Sequence, residues 1–263
     1  MDDLVLAMCG GYRAAEVLPL VRSLRAAGSR AELVLLLHRN PEGTKEELVS
    51  EGAEVVEVEL PGVPEEVSYN VARWAHLAQQ LALRPQTDRV LLCDSRDVLF
   101  QREPFAAVGG GAVHLFEEHP AKRVGGCLWT SSWIRYRYGD AALPPLAGEP
   151  VVCSGYVVGD ANLMHDWLAL LVGELTPPMR ATNYMAGYDQ GVVNANVYWG
   201  RFRGLTVHPF KASPVLHFGN APAGTVSTNE QGEVLNEEGQ VAVAVHQYDR
   251  HPAIKDRLLA RYR

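Results

Sequence analysis

The sequence predicts an α/β fold, a single domain with a mostly parallel central sheet flanked by helices. Short apolar runs alternate with amphipathic stretches through the first half of the chain, the pattern of consecutive βαβ units. Glycines and prolines separate these runs at positions where turns are expected. Hydrophobic residues make up 47% of the chain and charged residues 21%, the proportions of a globular domain rather than a disordered or membrane-spanning segment.

The elements of the first half follow in order from these patterns. Gly28 ends the first helix, and the break Pro61-Gly62-Val63-Pro64 precedes the longest one. Strands separated by helices imply right-handed crossovers and therefore parallel neighbours. We predict strands over residues 4–9, 33–37, 53–58 and 89–93, and helices over residues 14–27, 45–50 and 69–83.

The second half lacks this regular alternation. Residues 120–150 are rich in Arg, Tyr, Trp, Gly and Pro, which predicts a long active-site loop region with room for one short helix. No linker or repeat divides the chain, so we expect one domain over residues 1–263. We predict further strands over residues 151–158, 205–208, 215–218 and 241–245, and helices over residues 161–173 and 189–198.

Two carboxylates, Asp94 and Asp97, follow the apolar run Arg89-Val90-Leu91-Leu92-Cys93. The end of a strand in an open α/β sheet is where ligands bind. Two acids so close repel each other unless a cation lies between them, and Mg²⁺ or Mn²⁺ prefers such oxygen ligands. The pair therefore indicates a metal-phosphate site, with an ordinary turn or helix cap as the competing explanation.

Charge and cysteine content exclude other classes of protein. A net charge of -7 argues against a nucleic-acid-binding protein. The start, Met1-Asp2-Asp3, lacks the basic segment of a signal peptide. The four cysteines show no paired metal-ligand spacing, which predicts reduced thiols in a cytoplasmic protein without a membrane span.

Further candidate ligand-binding residues lie before and after the acid pair. Gly10 and Gly11, followed by Tyr12, come after the first strand and let backbone approach a phosphate or ribose closely. They do not form the GxGxxG pattern of a dinucleotide site. Arg73, on the helix before the acid strand, can reach a diphosphate, and a solvated surface arginine is the alternative.

Three later segments add polar groups. Ser154 and Gly155 interrupt a strand, either for close ligand approach or as a simple bulge. Asp189 and Gln190 begin a helix, where N-capping by the aspartate is the alternative. The run Val241–Val245 leads to His246, with Arg250 just beyond.

In this order, the motifs resemble the GT-A glycosyltransferases that use nucleotide sugars, most closely those of the glycogenin and bacterial galactosyltransferase type. The resemblance covers nearly the whole chain and implies a single GT-A-type, Rossmann-like domain, with a nucleotide-binding half (1–116) and a half for acceptor and sugar (117–263). It also implies transfer of a sugar from a nucleotide diphosphate donor to an acceptor, with retention of anomeric configuration. The matching stretches are 5–12, Arg73, 94–100, 153–158, Asp189-Gln190-Gly191-Val192-Val193-Asn194 and His246.

The resemblance implies roles for these residues. Asp94, Asp97 and His246 would hold Mn²⁺ or Mg²⁺. Gln190 would lie beside the anomeric carbon as a positioning group, since glutamine is a poor nucleophile, and Asp189 would hold sugar hydroxyls. The nucleotide sugar would be bound by Gly10, Gly11, Tyr12, Arg73, Ser154, Gly155 and Arg250.

The sequence departs from the family pattern at two motifs. The acids form DxxD rather than DxD, which makes Asp97 the firmer ligand. The late motif HxxGxxKPW is replaced by the segment that begins at His246, where Arg250 takes the place of the lysine. His217 also resembles the start of that motif, but we expect it to be a buried structural residue. Two other classes stay open: a metal-dependent phosphate-ester hydrolase or nucleotidyltransferase, and a catalytically inactive nucleotide-sugar-binding protein.

Overall fold

The computed structural model describes residues 1–59, 69–176 and 187–262. The helices are α1 (Ala14–Ala26), α2 (Thr44–Ser50), α3 (Tyr69–Ala82), α4 (Leu128–Tyr138), α5 (Ala161–Leu175), α6 (Tyr188–Tyr198) and α7 (Pro252–Ala260). The strands are β1 (Asp3–Gly10), β2 (Glu32–His38), β3 (Glu54–Glu57), β4 (Arg89–Asp94), β5 (Val98–Phe100), β6 (Val113–Phe116), β7 (Tyr156–Asp160), β8 (Leu205–His208), β9 (Val215–His217), β10 (Ser227–Thr228), β11 (Val234–Leu235) and β12 (Ala244–His246).

The central sheet has seven strands in the order β3-β2-β1-β4-β7-β6-β8. Strands β1 to β4 pair in parallel, as the alternation of strands and helices predicts. Strand β7 runs antiparallel to both of its neighbours, while β6 and β8 are again parallel. The predicted α/β class with a mostly parallel sheet is therefore confirmed, and the arrangement is compatible with a Rossmann-like fold.

Both faces of the central sheet are covered, because side chains alternate along each strand. Val5 and Ala7 of β1 pack into the apolar cluster that contains α1. Leu4 and Leu6 point the other way, into the cluster formed with α3, α5 and α6. Trp74 of α3 lies in that second cluster and is almost completely buried.

A smaller three-stranded sheet in the order β5-β12-β9 brings distant parts of the chain together. Strand β12 pairs antiparallel with β5, which follows Asp97, and parallel with β9. The register sets His246 opposite Val98 on one side and His217 on the other. The C-terminal part of the chain is thereby fixed beside the carboxyl end of β4.

Three predictions for the second half were wrong in detail. The strand expected over residues 241–245 corresponds to β12, which begins only at Ala244 and includes His246. The strand expected over residues 151–158 begins only at Tyr156. The Asn194 side chain forms hydrogen bonds with the N–H and the carbonyl of Val152, so these groups do not pair with a strand on that side. Asn194 Oδ1 accepts from the Val152 N–H at 2.9 Å, and its Nδ2 donates to the Val152 carbonyl at 2.7 Å. Residues 120–150 contain the 11-residue helix α4, longer than the short helix expected there. The break at Pro61–Pro64 lies outside the described residues.

The four cysteines are buried and unpaired, as expected from their spacing. Among the described helices, none is long and apolar enough to cross a membrane.

Candidate metal and ligand site

The turn after β4 presents both acids at the edge of the central sheet. Asp94 ends β4 and lies opposite Met8 of the neighbouring β1. The Ser95 hydroxyl donates to the Met8 carbonyl at 2.9 Å, which fixes the turn against β1. Asp97 follows just before β5, and its carbonyl accepts from the Gln247 N–H at 2.9 Å. The turn is therefore held from both sides.

Asp94, Asp97 and His246 form a cluster that fits a divalent cation. His246 Nε2 lies 3.2 Å from Asp94 Oδ2 and 3.6 Å from Asp97 Oδ1. The three ligand atoms lie within 4.8 Å of one another. Nε2 is buried and makes no hydrogen bond to the described part of the chain. Two carboxylate oxygens and one imidazole nitrogen suit Mn²⁺, and Mg²⁺ with bound water, better than a soft metal.

Gly155 is required by the packing of this cluster. A Cβ atom at this position would overlap the His246 ring and lie 2.7 Å from Asp94 Oδ2. The Gly155 carbonyl also accepts from the Asp94 N–H at 2.9 Å, so the backbone here supports one candidate ligand directly. The predicted close approach at residues 154–155 is thus an approach to the candidate ligands themselves.

Arg73 holds the two acidic parts of the site together. The Arg73 guanidinium forms an ion pair with Asp94, and its Nη2 atom lies 3.1 Å from Asp189 Oδ2. Burial raises the pKa of Asp94, but Arg73 and His246 outweigh this effect and hold the pKa well below its usual value. Arg73 is 8% exposed, so it is a buried structural cation rather than the solvated surface arginine considered as an alternative.

His217, expected to be a buried structural residue, is buried and contacts His246 directly. The two Nδ1 atoms are 2.9 Å apart. A cation at His246 Nε2 leaves the proton on Nδ1, which then donates to the unprotonated Nδ1 of His217. Burial, followed by the nearby His246, lowers the pKa of His217 well below its usual value and keeps it neutral. His217 is therefore in a position to orient His246 as a candidate metal ligand.

We expect His217→Ala to weaken Mn²⁺ binding by about 10–100-fold, because metal-bound histidines depend on the partner of their other ring nitrogen. His246→Ala should weaken it further. Isothermal titration with Mn²⁺ measures both effects, and His165→Ala, which alters an exposed histidine on α5, is the control. Unchanged Mn²⁺ affinity in folded His217→Ala protein would show that the contact has no part in metal binding.

A second cluster, Cys153, His217 and His246, also brings three ligand atoms together, but all three residues are buried. Burial raises the pKa of the Cys153 thiol, which disfavours the thiolate that metals require. The carboxylate cluster, in contrast, lines a cavity of about 670 Å³. The carboxylate cluster is therefore the better candidate metal site of the two.

The start of α6 forms another wall of this cavity. Gln190 Nε2 donates to Glu118 Oε1 at 2.9 Å, and its Oε1 accepts weakly from the Ser154 N–H at 3.4 Å. Asp189 Oδ2 accepts from Trp74 Nε1 at 3.0 Å and also from Arg73. Burial raises the pKa of Asp189, an effect that Arg73 offsets in part. These protein donors make Asp189 an anchor for the cavity wall.

The cavity brings together nearly all of the residues that the sequence singles out. Gly11 is the exception: it has φ = 74° and shapes the turn after β1 but does not line the cavity. Arg250 is exposed and lies at the cavity surface, where its Nη1 atom is 3.4 Å from the Gly219 carbonyl oxygen. The predicted residues that line the cavity are Gly10, Tyr12, Arg73, Asp94, Asp97, Ser154, Gly155, Asp189, Gln190, His246 and Arg250.

Sequence reasoning missed Glu118, which also lines the cavity. Two acids, Glu117 and Glu118, follow the apolar run 113–116, so the signal that identified Asp94 was present here, but it does not indicate which of the two lines the cavity. Trp129 and Trp133 line the cavity as well, with ring centroids 6.2 Å apart. The aromatic residues of the 120–150 region thus contribute to the cavity wall.

No protein-family model matches the chain, and no curated protein matches it either. Its function is therefore inferred from the chemistry of the cavity.

Proposed function

We propose that the protein is a metal-dependent glycosyltransferase of GT-A type that moves a sugar from a nucleotide diphosphate donor to an acceptor. The observation that carries the proposal is the Asp94–Asp97–His246 cluster, which opens onto a cavity of about 670 Å³. Cavities of about 300–1,000 Å³ are typical of small-ligand sites. The cavity lies where the β1 and β4 carboxyl ends meet, the usual ligand position in such sheets.

The donor set supports a diphosphate ligand. Asp94, Asp97 and His246 supply three ligand atoms, which leaves positions for phosphate oxygens on Mn²⁺ or Mg²⁺. When bound, the cation neutralises charge that develops on the departing diphosphate. Arg250 and Arg96 line the same cavity, and their charge favours an anionic ligand in a chain that is acidic overall.

The protein side chains serve to bind and orient the donor. Arg73 fixes the orientation of Asp94, so that this carboxylate needs little rearrangement when donor binds. Tyr12, with the Arg96 guanidinium 5.6 Å from its ring centroid, offers a flat surface at the end of β1 for the nucleoside. Gln190 and Ser154 provide polar groups on the opposite wall for the sugar.

Nucleotide release from UDP-, GDP- and ADP-sugars, with Mn²⁺ or with EDTA, tests the proposal. We expect Mn²⁺-dependent turnover of at least one donor, and its loss in Asp97→Ala with the fold intact. Asp166→Ala, which removes an exposed acid on α5, is the control. Cleavage of simple phosphate esters would instead indicate a hydrolase, and donor binding without turnover an inactive binding protein. Either result would overturn the proposed transfer.

We expect Gln190→Ala to lower kcat and kcat/KM together by about 100-fold, with donor affinity almost unchanged. Its amide is held between Glu118 and the Ser154 backbone, on the wall that we propose for the sugar, which supports a role at the reacting groups rather than at the nucleotide. Initial rates over a range of donor concentrations separate the two effects. Weaker donor binding at constant kcat would make Gln190 a substrate clamp instead.

A further inference from the structure

The two ring nitrogens of His246 face two different sets of possible metal ligands. Its Nε2 atom lies 3.2 Å from Asp94 Oδ2 and 3.6 Å from Asp97 Oδ1. Its Nδ1 atom lies 3.5 Å from Cys153 Sγ and 2.9 Å from His217 Nδ1. One imidazole therefore belongs both to the carboxylate cluster and to a second cluster with Cys153 and His217, which we call the thiol cluster.

The spacing of the thiol cluster fits a tetrahedral metal ion. Zn²⁺ binds sulfur at about 2.3 Å and histidine nitrogen at about 2.0–2.1 Å, which sets neighbouring ligand atoms about 3.3–3.6 Å apart. Cys153 Sγ and His246 Nδ1 already have this separation, at 3.5 Å. The Nδ1 atoms of His217 and His246 are 2.9 Å apart and need only a small further separation. Three protein ligands leave the fourth position for water.

The ligand types of the thiol cluster select a soft metal. Thiolate and imidazole favour Zn²⁺ or Cd²⁺, whereas Mn²⁺ and Mg²⁺ favour oxygen. Burial raises the pKa of the Cys153 thiol, so the thiolate does not form readily without a metal. A metal that binds sulfur strongly displaces the thiol proton, which leaves to solvent. The cluster that suits Mn²⁺ poorly is therefore suited to Zn²⁺.

The cavity gives a metal ion a route to the thiol cluster. Cys153 and His246 both line the cavity, although each is only 1% exposed. Gly155 lies against the His246 ring and also lines the cavity, and it carries no side chain that would cover the two ligands. His217 is completely buried and is the innermost of the three residues.

The two clusters compete for the His246 imidazole. A neutral imidazole carries a proton on one nitrogen and can bind a metal only through the other. A cation at Nε2 leaves the proton on Nδ1, which faces the thiol cluster. A metal at Nδ1 moves the proton to Nε2, which then donates to Asp94 or Asp97 in the place of a cation. Two dications on one ring would also repel each other.

We propose that Cys153, His217 and His246 form a second metal site, selective for Zn²⁺, whose occupation displaces Mn²⁺ from the carboxylate cluster. The zinc site is argued from the positions of these three residues and does not depend on glycosyl transfer. Its consequence for catalysis, inhibition of transfer by Zn²⁺, rests on the proposed function.

The first test uses Cd²⁺ as a spectroscopic substitute for Zn²⁺, because cadmium–thiolate bonds absorb in the ultraviolet by charge transfer. We expect Cd²⁺ to produce this absorption in wild type and in D97A but not in folded C153S. C127S is the matched control, because Cys127 is also buried and lines the cavity but belongs to neither cluster. Absence of the absorption in wild type, or its persistence in C153S, would overturn the zinc site.

The second test measures the competition by isothermal titration. Zn²⁺ also binds oxygen and nitrogen ligands more tightly than Mn²⁺ does, so variants must separate the two sites. D97A should lose Mn²⁺ binding and keep the Zn²⁺ affinity of wild type. C153S should keep Mn²⁺ binding, and its Zn²⁺ affinity should fall by at least the roughly 10–100-fold that loss of an outer partner costs. Mn²⁺ affinity that is unchanged by saturating Zn²⁺ in wild type would overturn the competition.

The third test measures Mn²⁺-dependent donor turnover as Zn²⁺ is added. We expect Zn²⁺ to inhibit wild type at lower concentrations than it inhibits C153S, with C127S following wild type. Equal inhibition of wild type and C153S would contradict inhibition through the thiol cluster. Absence of turnover with every donor would overturn the proposed function, whereas the two metal-binding tests would still decide the zinc site.

Discussion

Replacing Arg73 with alanine is expected to lower the free energy of unfolding by about 3–5 kcal/mol. Arg73 is 8% exposed and is shared between Asp94 and Asp189. Its removal leaves the buried Asp189 without a cation and takes one of two positive partners, the other being His246, from the partly buried Asp94. An uncompensated buried charge costs far more than a broken surface pair. Urea denaturation in the presence of EDTA measures the loss without compensation by bound metal.

Arg84→Ala is the matched control for this experiment. Arg84 also pairs with two acids, Glu32 and Glu54, but their side chains are 43% and 49% exposed. Its loss should cost about 1 kcal/mol or less. Similar losses of stability for Arg73→Ala and Arg84→Ala would show that the buried ion pairs of Arg73 stabilise the fold no more than the exposed ion pairs of Arg84.

Gly155→Ala is expected to weaken Mn²⁺ binding about 10–100-fold and to lower transfer about 100-fold. The added methyl group would overlap the His246 ring and crowd Asp94 Oδ2, so at least one candidate ligand must move. Displacement of a reacting group by about 1 Å is sufficient for a rate loss of this size. Metal titration and donor turnover on the same preparation measure the two effects.

Gly173→Ala provides the control, because this exposed helical glycine has open space where a Cβ would lie. It should raise helix stability by about 1 kcal/mol and leave metal affinity unchanged. Wild-type Mn²⁺ affinity in Gly155→Ala would mean that the cation binds elsewhere than between Asp94 and His246.

Local patterns predicted the first half of the fold well. Apolar periodicity and glycines at the ends of elements, which are signals carried by neighbouring residues, predicted strands β1, β2 and β4 and helices α1 and α3. The antiparallel insertion of β7 between β4 and β6 has no such signal, because the order of strands depends on contacts between distant segments. The same limit applies to residues 151–155, where the distant Asn194 side chain bonds to the backbone of Val152.

For the candidate site, too, local patterns predicted some of the residues and missed others. Asp94 and Gly10 follow apolar runs, and Arg73 lies on a predicted helix, so their place at one sheet edge could be inferred. Glu118 follows an apolar run, as Asp94 does, but its position in the cavity beside His217 comes from a pairing of distant segments that no local pattern encodes. The contact between His217 and His246 depends on the register of β9 and β12. Motif order therefore located the candidate metal cluster but not His217 and Glu118, which lie beside it.

The central place of β12 in the small sheet has a consequence for how the chain folds. Strands β5 and β9 do not pair with each other; each pairs with β12, which comes last along the chain. His246 therefore reaches Asp94 and Asp97 only after a very long loop has closed, a step of high contact order that is slow compared with the formation of β1 to β4. A cation that binds all three residues stabilises only the state in which this closure is complete. Mn²⁺ should accordingly slow the unfolding of the C-terminal segment more than that of the parallel strands, a difference that hydrogen exchange resolves strand by strand.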